Sequence, residues 1–174
     1  MIAMLTAGAG FEIPLPLGEV ISSADVVAVG TIEKVSASTF TLAVDDVLIG
    51  KTDAKRIEIE KFAASAESPR WAPYARGQSV IVFLAHQRCG PFRILGRLGE
   101  GEIPLDAKFA YFHGRYVDVL QPDWYEVDGR RVYLQRFDRA MTMDAIRGFR
   151  NADGDYRSRS KLHEFLSRRQ GLHR

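Results

Sequence analysis

Histidine and cysteine side chains come close together in the segment His86-Gln87-Arg88-Cys89, and His113 follows later in the chain. Zinc accepts both residue types, and His-x-x-Cys spacing can place two ligands around one ion. Only two ligands are local, and no second pair follows at motif spacing. We therefore interpret the segment as a strand-end histidine beside a buried free cysteine, and predict neither a metal nor a cofactor.

A catalytic nucleophile needs a base that is itself oriented by a third group. Cys89 and His86 could approach each other, but the sequence indicates no partner carboxylate and contains no Gly-x-Ser-x-Gly elbow. The glycine-rich stretch 96–101 lacks the Gly-Lys-Ser/Thr ending of a phosphate loop. Glu100 and Glu102 form a close acidic pair, which we interpret as part of an exposed hairpin rather than as an acid–base pair. No catalytic residue is assigned.

Aromatic and basic residues are interleaved at Arg70, Trp71, Tyr74 and Arg76. Aromatic rings can stack on bases while cations follow the phosphates, so this composition fits a single strand of nucleic acid. A second group has the same composition: Tyr111, Phe112, Arg115 and Tyr116. The favoured alternative is that these aromatic residues plug the ends of a barrel or anchor a loop. The first four residues are the candidate ligand-contact surface.

Composition bounds the class of protein. The chain has 174 residues, of which 46% are apolar and 26% charged, which is ordinary for one globular domain. A single cysteine excludes a disulfide scaffold, and no apolar run approaches the ~18 residues of a membrane span. Residues 1–10 are apolar without a positively charged start, so they are no complete export signal. A signal-peptide remnant and a flexible or strand-like lead-in stay open.

Charge is unevenly distributed along the chain. Residues 1–128 carry 12 Lys and Arg against 17 Asp and Glu, whereas residues 129–174 carry 12 against 5. A basic tail can contact nucleic acid, a lipid surface or an acidic protein. We favour a solvated helix face that attracts the acidic body of the same chain, because no block of five or six like charges occurs. The acidic body also argues against a nonspecific nucleic-acid groove.

Strand patterns dominate the first half of the chain. Residues 25–34 are rich in β-branched types, and Gly30 inside them is typical of a bulge or a sharp bend. Residues 39–48 and 56–60 alternate apolar and polar types with period two, as half-buried strands do. Residues 80–84 are continuously apolar, which predicts a strand buried on both faces.

The second half adds a hairpin and helices. Asp128-Gly129 is a strong signal for a type I′ turn between two strands. Thr142 is predicted to cap a helix that runs to about Arg150, and Ser158 or Ser160 a second helix. Further strands are predicted over 92–95, 111–120, 124–127 and 132–134, and about two helical turns over 17–24.

Six to eight short strands with helices mostly at the C-terminal end predict a mainly β protein. The arrangement we expect is a closed antiparallel barrel with an extra hairpin and one or two C-terminal helices on its outside. The domain limits follow as a lead-in over 1–22, a barrel with its hairpin extension over 23–135, and a basic helical segment over 136–174 that packs on the barrel.

Three segments resemble strands of the netrin-like modules, the family that includes the tissue inhibitors of metalloproteinases and related bacterial proteins. Residues 23–32 (SADVVAVGTI) resemble the opening strand, 44–51 (VDDVLIGK) the second strand and its turn, and 76–84 (RGQSVIVFL) a later strand. The resemblance implies a five-stranded barrel of the OB type and an extracytoplasmic setting, periplasmic or secreted. It implies no activity, because the inhibitors use an N-terminal cysteine and several disulfides, whereas this sequence starts with Met1 and has Cys89 as its single cysteine.

These observations lead to three hypotheses. The first is a non-enzymatic binding module, built on an OB-type barrel, for a protein or a cell-envelope component. The alternative is an OB-fold protein that binds single-stranded nucleic acid. The third is a small uncharacterised enzyme, since a chain of this length has room for a pocket.

Overall fold

The structure is a computed structural model that describes residues 17–62, 70–96, 99–113 and 122–151. Three predictions lie outside these residues in whole or in part: the nature of residues 1–10, the second helix capped by Ser158 or Ser160, and the part of the 111–120 strand that follows His113. The aromatic and basic pair Arg115 and Tyr116 also lies outside them. The elements are α1 (Leu17–Ser23), β1 (Val26–Val35), β2 (Thr39–Ile49), β3 (Arg56–Glu60), β4 (Ser79–Ala85), β5 (Phe92–Ile94), β6 (Glu102–Leu105), β7 (Phe109–His113), β8 (Asp123–Val127), β9 (Arg130–Asp138) and α2 (Arg139–Asn151).

Five strands close a barrel in the order β1-β2-β3-β5-β4, and β4 returns to pair with β1. Strands β3 and β5 run parallel, while the other neighbours in the barrel are antiparallel. This is the OB-type barrel that the sequence predicted. The alternation of apolar and polar residues places every second side chain inside the barrel. In β3, Ile57 and Ile59 are buried between exposed neighbours.

Gly30 lies in the long strand β1, where the strand pairs with both β2 and β4. The register between β1 and β2 shifts at this residue. A Cβ atom there would overlap the carbonyl oxygen of Ala43 and lie 2.9 Å from Cγ of Leu42. The irregularity that a glycine inside a strand predicted is therefore found as a register shift at Gly30, and the close approach of the β2 backbone explains why glycine is needed there.

Strand β4 is buried on both faces, as its apolar run predicted. Its even-numbered residues 80, 82 and 84 belong to the apolar cluster inside the barrel, together with Phe40 and Ile59. Ile81 and Phe83 belong to a second apolar cluster outside the barrel wall. That outer cluster also holds residues of α1 and α2, so both helices cover the same side of the barrel.

The sheet continues beyond the barrel from β4 through β6, β7 and β9 to β8. Among the described strands, β8 pairs with β9 alone and so forms the edge of this extension. Asp128 and Gly129 connect the two strands with φ of 48° and 73°. These angles are those of the type I′ turn that the Asp-Gly pair predicted.

Helix α2 begins three residues before the predicted cap. The Asp138 carboxylate accepts a hydrogen bond from the backbone N–H of Met141 (2.8 Å), so Asp138 is the N-cap. Thr142 lies inside the helix, where its hydroxyl donates to the carbonyl of Asp138 (2.8 Å). The prediction of a Thr142 cap was wrong because Asp138, at the end of β9, accepts the first-turn N–H of Met141 and begins the helix earlier. In the described parts of the chain, no helix is long and apolar enough to cross a membrane.

Candidate functional site

Three of the four predicted ligand-contact residues come together where the loop 70–76 crosses the barrel. The Arg70 guanidinium forms a two-pronged ion pair with the carboxylate of Glu102, with N–O distances of 2.5 and 3.0 Å. The side chains of Arg70 and Glu102 are only 6% and 2% exposed. Trp71 is buried, while Arg76 is exposed.

Arg70 is also held between two aromatic rings. Its guanidinium carbon lies 4.1 Å from the ring centroid of Trp71 and 3.8 Å from that of Tyr74. The Tyr74 hydroxyl donates to Glu102 (3.1 Å) and accepts from the backbone N–H of Phe62 (3.0 Å). These contacts anchor the loop to the barrel and leave Arg76 as the accessible part of the predicted surface. Ligand contact there stays a prediction.

The close acidic pair is not part of an exposed hairpin. Glu100 and Glu102 are 3% and 6% exposed, so the expectation of an exposed location was wrong. Glu102 begins strand β6 inside the fold, where Arg70 balances its charge. The two partners of this pair are 32 residues apart, and no local pattern links them.

The histidine–cysteine segment is a surface feature. Cys89 is exposed, so the expectation of a buried cysteine was wrong. It follows the end of β4, in the turn that leads to β5. His86 is exposed and its ring lies 4.7 Å from that of Phe92. Within the described ranges no three histidine, cysteine or acidic side chains converge as metal ligands.

The hairpin of β8 and β9 carries an exposed aromatic pair. Trp124 is 54% and Tyr133 48% exposed, and they are the exposed large hydrophobic residues of the described chain. They are direct cross-strand partners with ring centroids 5.4 Å apart. The guanidinium of Arg131 lies 5.5 Å from the Trp124 ring on the same face. We call Trp124, Tyr133 and Arg131 the hairpin patch.

The opposite face of the hairpin is packed against the fold. Tyr125 lies 5.6 Å from Tyr111, measured between ring centroids. The Arg136 guanidinium lies 4.3 Å from the ring of Phe109 and 4.8 Å from that of Tyr125. Because one face is held this firmly, the hairpin patch is presented on a supported strand pair rather than on a loop.

A partly buried hydrogen bond completes that support. The Tyr111 hydroxyl donates to the Asp106 carboxylate (2.5 Å), which also accepts the backbone N–H groups of Lys108 and Phe109 (both 2.7 Å). Burial, together with the bond to Asp106, raises the pKa of Tyr111 to about 12. Burial opposes ionisation of Asp106 as well, but these donors hold the pKa of its carboxyl below its ordinary value.

We expect Tyr111→Phe to reduce the decrease in unfolding free energy that occurs at alkaline pH. The neutral Tyr111 is favoured by folding, so it stabilises the fold below pH 10 and loses this contribution as the pH rises towards 12. Urea unfolding at about pH 9.5 and 11.5 should therefore show a smaller drop in unfolding free energy for the variant than for the wild type. Equal drops would contradict a buried phenol that is bonded to Asp106.

A cavity of about 450 Å³ lies between the turn 106–108 and the first two turns of α2. Basic residues line it, but Arg139 donates to the carbonyl of Asp106 (3.1 Å), and Arg147 is paired with Asp46 and Asp144. Acidic and basic groups alternate around it, so its lining selects no single charge of ligand.

The fold and the hairpin together define an OB-type barrel that carries an additional strand pair with an exposed aromatic face. No protein-family model matches the chain, and comparison with curated proteins gives no match. Among solved structures, one provisionally described as an exosome complex RNA-binding protein aligns with 92% of this chain and 99% of its own, at 13% identity and a TM-score of 0.30. An overlap this loose establishes neither a shared fold nor a shared function.

The sequence patterns indicated the hairpin but not its patch. Side chains along β8 and β9 alternate between the two faces of the sheet, so Trp124 and Tyr133 share one face while Tyr125 and Val132 share the other. One of these two faces had to face the core. Both sets contain large apolar side chains, and composition does not distinguish them. The strands that neighbour β9 decide which set is exposed and which is part-buried.

Proposed function

We propose that this chain is a non-enzymatic binding module that contacts a protein partner through the hairpin patch. The observation that carries the proposal is the half-exposed Trp124 and Tyr133 on a strand pair whose other face is packed. Tryptophan, tyrosine and arginine are the residues that most often dominate binding energy at protein interfaces. An aromatic pair left in water gains free energy when a partner covers it.

The charges of the hairpin favour a protein over nucleic acid. Asp123, Glu126 and Asp128 lie in the same strand pair and turn as Arg130 and Arg131. A nonspecific nucleic-acid binder needs a path of positive charge for the phosphates. Interspersed charges of both signs suit the polar rim of a protein interface instead. The netrin-like resemblance supports an extracytoplasmic protein or a cell-envelope component as the partner.

Cross-linking in cells tests the proposal directly. A photoreactive benzoylphenylalanine at Tyr133 should form an adduct with a partner protein, whereas the same residue at the exposed Lys51 of the barrel should not. Equal labelling at both positions would contradict a specific surface. Salt-dependent binding of fluorescent single-stranded oligonucleotides that Trp124→Ser abolishes would reassign the patch to nucleic acid.

Substitution of the patch should separate binding from stability. We expect Trp124→Ser with Tyr133→Ser to lower the adduct yield at an Arg131 photoprobe at least about tenfold, as loss of interface anchors does. The unfolding free energy should change by less than about 1 kcal/mol, since both rings are half exposed. A larger loss of stability, measured by urea unfolding, would show that the pair serves the fold.

A further inference from the structure

The edge strand β8 is complementary to itself. We propose that the hairpin patch binds a second copy of this chain, with β8 of one copy antiparallel to β8 of the other about a two-fold axis at Tyr125. The inference rests on the proposed function of the same surface and names the partner. It follows from which backbone groups of β8 point away from β9 and from which side chains the two-fold axis brings together.

The hairpin turn determines which backbone groups point outward. In a two-residue type I′ hairpin the residues that flank the turn, here Val127 and Arg130, form a hydrogen-bonded pair. Pairs alternate along the ladder, so Tyr125 also bonds to β9. The N–H and C=O groups of Trp124 and Glu126 then point away from β9, towards the side where no other described strand pairs. The Trp124 N–H donates there to the Asp123 carboxylate (2.7 Å), so pairing with a second copy exchanges this bond for one to the Glu126 carbonyl of that copy. Such an edge is a template for another strand.

One register pairs all four of these groups with the second copy and keeps like charges apart. With the two-fold axis at Tyr125, Trp124 lies opposite Glu126 of the second copy, and each such pair exchanges both of its backbone hydrogen bonds. Asp123 lies opposite Val127 of the second copy. No two charges of the same sign are then directly opposite, and such pairs are the ones that destabilise a sheet.

The neighbouring registers are poorer. An axis at Glu126 would place the two Glu126 carboxylates opposite each other. An axis at Trp124 would place Glu126 opposite Pro122 of the second copy, and proline has no N–H to donate. The residues of β8 therefore select the axis at Tyr125.

The selected register brings the two exposed Trp124 side chains next to each other. The two Trp124 side chains become diagonal neighbours, about 7–8 Å apart and within reach of aromatic rings. They would form a continuous row in which each indole is flanked by its own Tyr133. Glu126 would lie between its cross-strand partner Arg131 and the Trp124 of the second copy, so its charge keeps a basic neighbour. A five-residue edge buries less than a standard interface, so we expect association at about 10–500 µM.

Sedimentation equilibrium of the full chain tests the register. The wild type should rise from its monomer mass of 19.5 kDa towards twice that value over this range. Trp124→Glu puts a carboxylate opposite Glu126 on both sides and should stay monomeric. Trp124→Lys puts an ammonium opposite Glu126 and should associate at least about fivefold more tightly than Trp124→Glu. A monomeric wild type, or equal behaviour of the two variants, would overturn the proposal.

A cross-link that keeps Trp124 gives a second test. In a Cys89→Ser background, Glu126→Cys should give covalent dimers with a bismaleimide that spans about 8 Å, the separation that strand geometry gives across the axis. Lys51→Cys should not. If neither dimers nor association are found but Tyr133 still cross-links to another protein in cells, the inference fails and the proposed function stands. If no adduct forms at all, both fail.

Discussion

Glu102→Ala is expected to lower the free energy of unfolding by about 3–5 kcal/mol, the usual cost of leaving one charge of a buried pair alone. The Arg70 guanidinium would remain in a site where its side chain is 6% exposed, with no carboxylate beside it. The hydroxyl of Tyr74 would also lose its acceptor. Urea unfolding followed by circular dichroism measures the loss.

Two controls separate burial from ion pairing as such. Arg70→Met combined with Glu102→Leu removes both charges and should recover most of the lost stability, because apolar side chains of similar volume avoid the desolvation of two ions. Arg56 and Glu33 form an exposed pair of similar geometry, and Glu33→Ala should have little effect. A double variant as unstable as Glu102→Ala would indicate that packing in the loop, not charge, is at fault.

Gly30→Ala is expected to destabilise the barrel by at least about 3 kcal/mol, at the upper end of single-residue effects. The added methyl group would overlap the carbonyl oxygen of Ala43, which belongs to the backbone of β2 and cannot rotate away. The two strands would have to separate at the register shift beside Gly30, and β1 also pairs with β4 there. Urea unfolding with tryptophan fluorescence is suitable because Trp71 is buried.

Gly148→Ala is the matched control for the same chemical change. Gly148 lies inside α2 and a Cβ there would meet nothing within 4 Å. Alanine should therefore stabilise the helix by about 0.5–1 kcal/mol, since glycine loses more backbone entropy on folding. If Gly30→Ala did not lower the free energy of unfolding either, β1 and β2 would be able to separate at little cost in free energy.

Glu102→Ala and Gly30→Ala act on the barrel and its loop, and neither residue belongs to the hairpin patch. If Glu102→Ala lowers stability while the folded fraction still cross-links at Tyr133, the patch is supported by the hairpin's own packing against Tyr111 and Phe109 of β7. A loss of cross-linking that follows the loss of folded protein would mean that the barrel and hairpin fold as one unit.

Much of the barrel could be predicted from local patterns. Alternation in β3 and the apolar run of β4 both depend on which side chains face the core within a few residues, and burial rewards those patterns directly. The Asp128-Gly129 turn was equally local, because few residue pairs accept positive φ at both positions. Neighbouring residues determine these features, and the structure confirmed them.

What local patterns missed depends on partners that are distant along the chain. The sequence pattern predicted Arg70 to be an accessible cation. Its ion pair with Glu102, 32 residues away, instead places both side chains inside the fold. Trp124 and Tyr125 are neighbours of similar size, and the packing of Tyr125 against Tyr111 sends one ring inward and the other outward. Charge and hydrophobicity belong to a residue, whereas burial belongs to the arrangement of strands around it. That arrangement is set by the closed sheet as a whole, and it is what placed the hairpin patch on the surface.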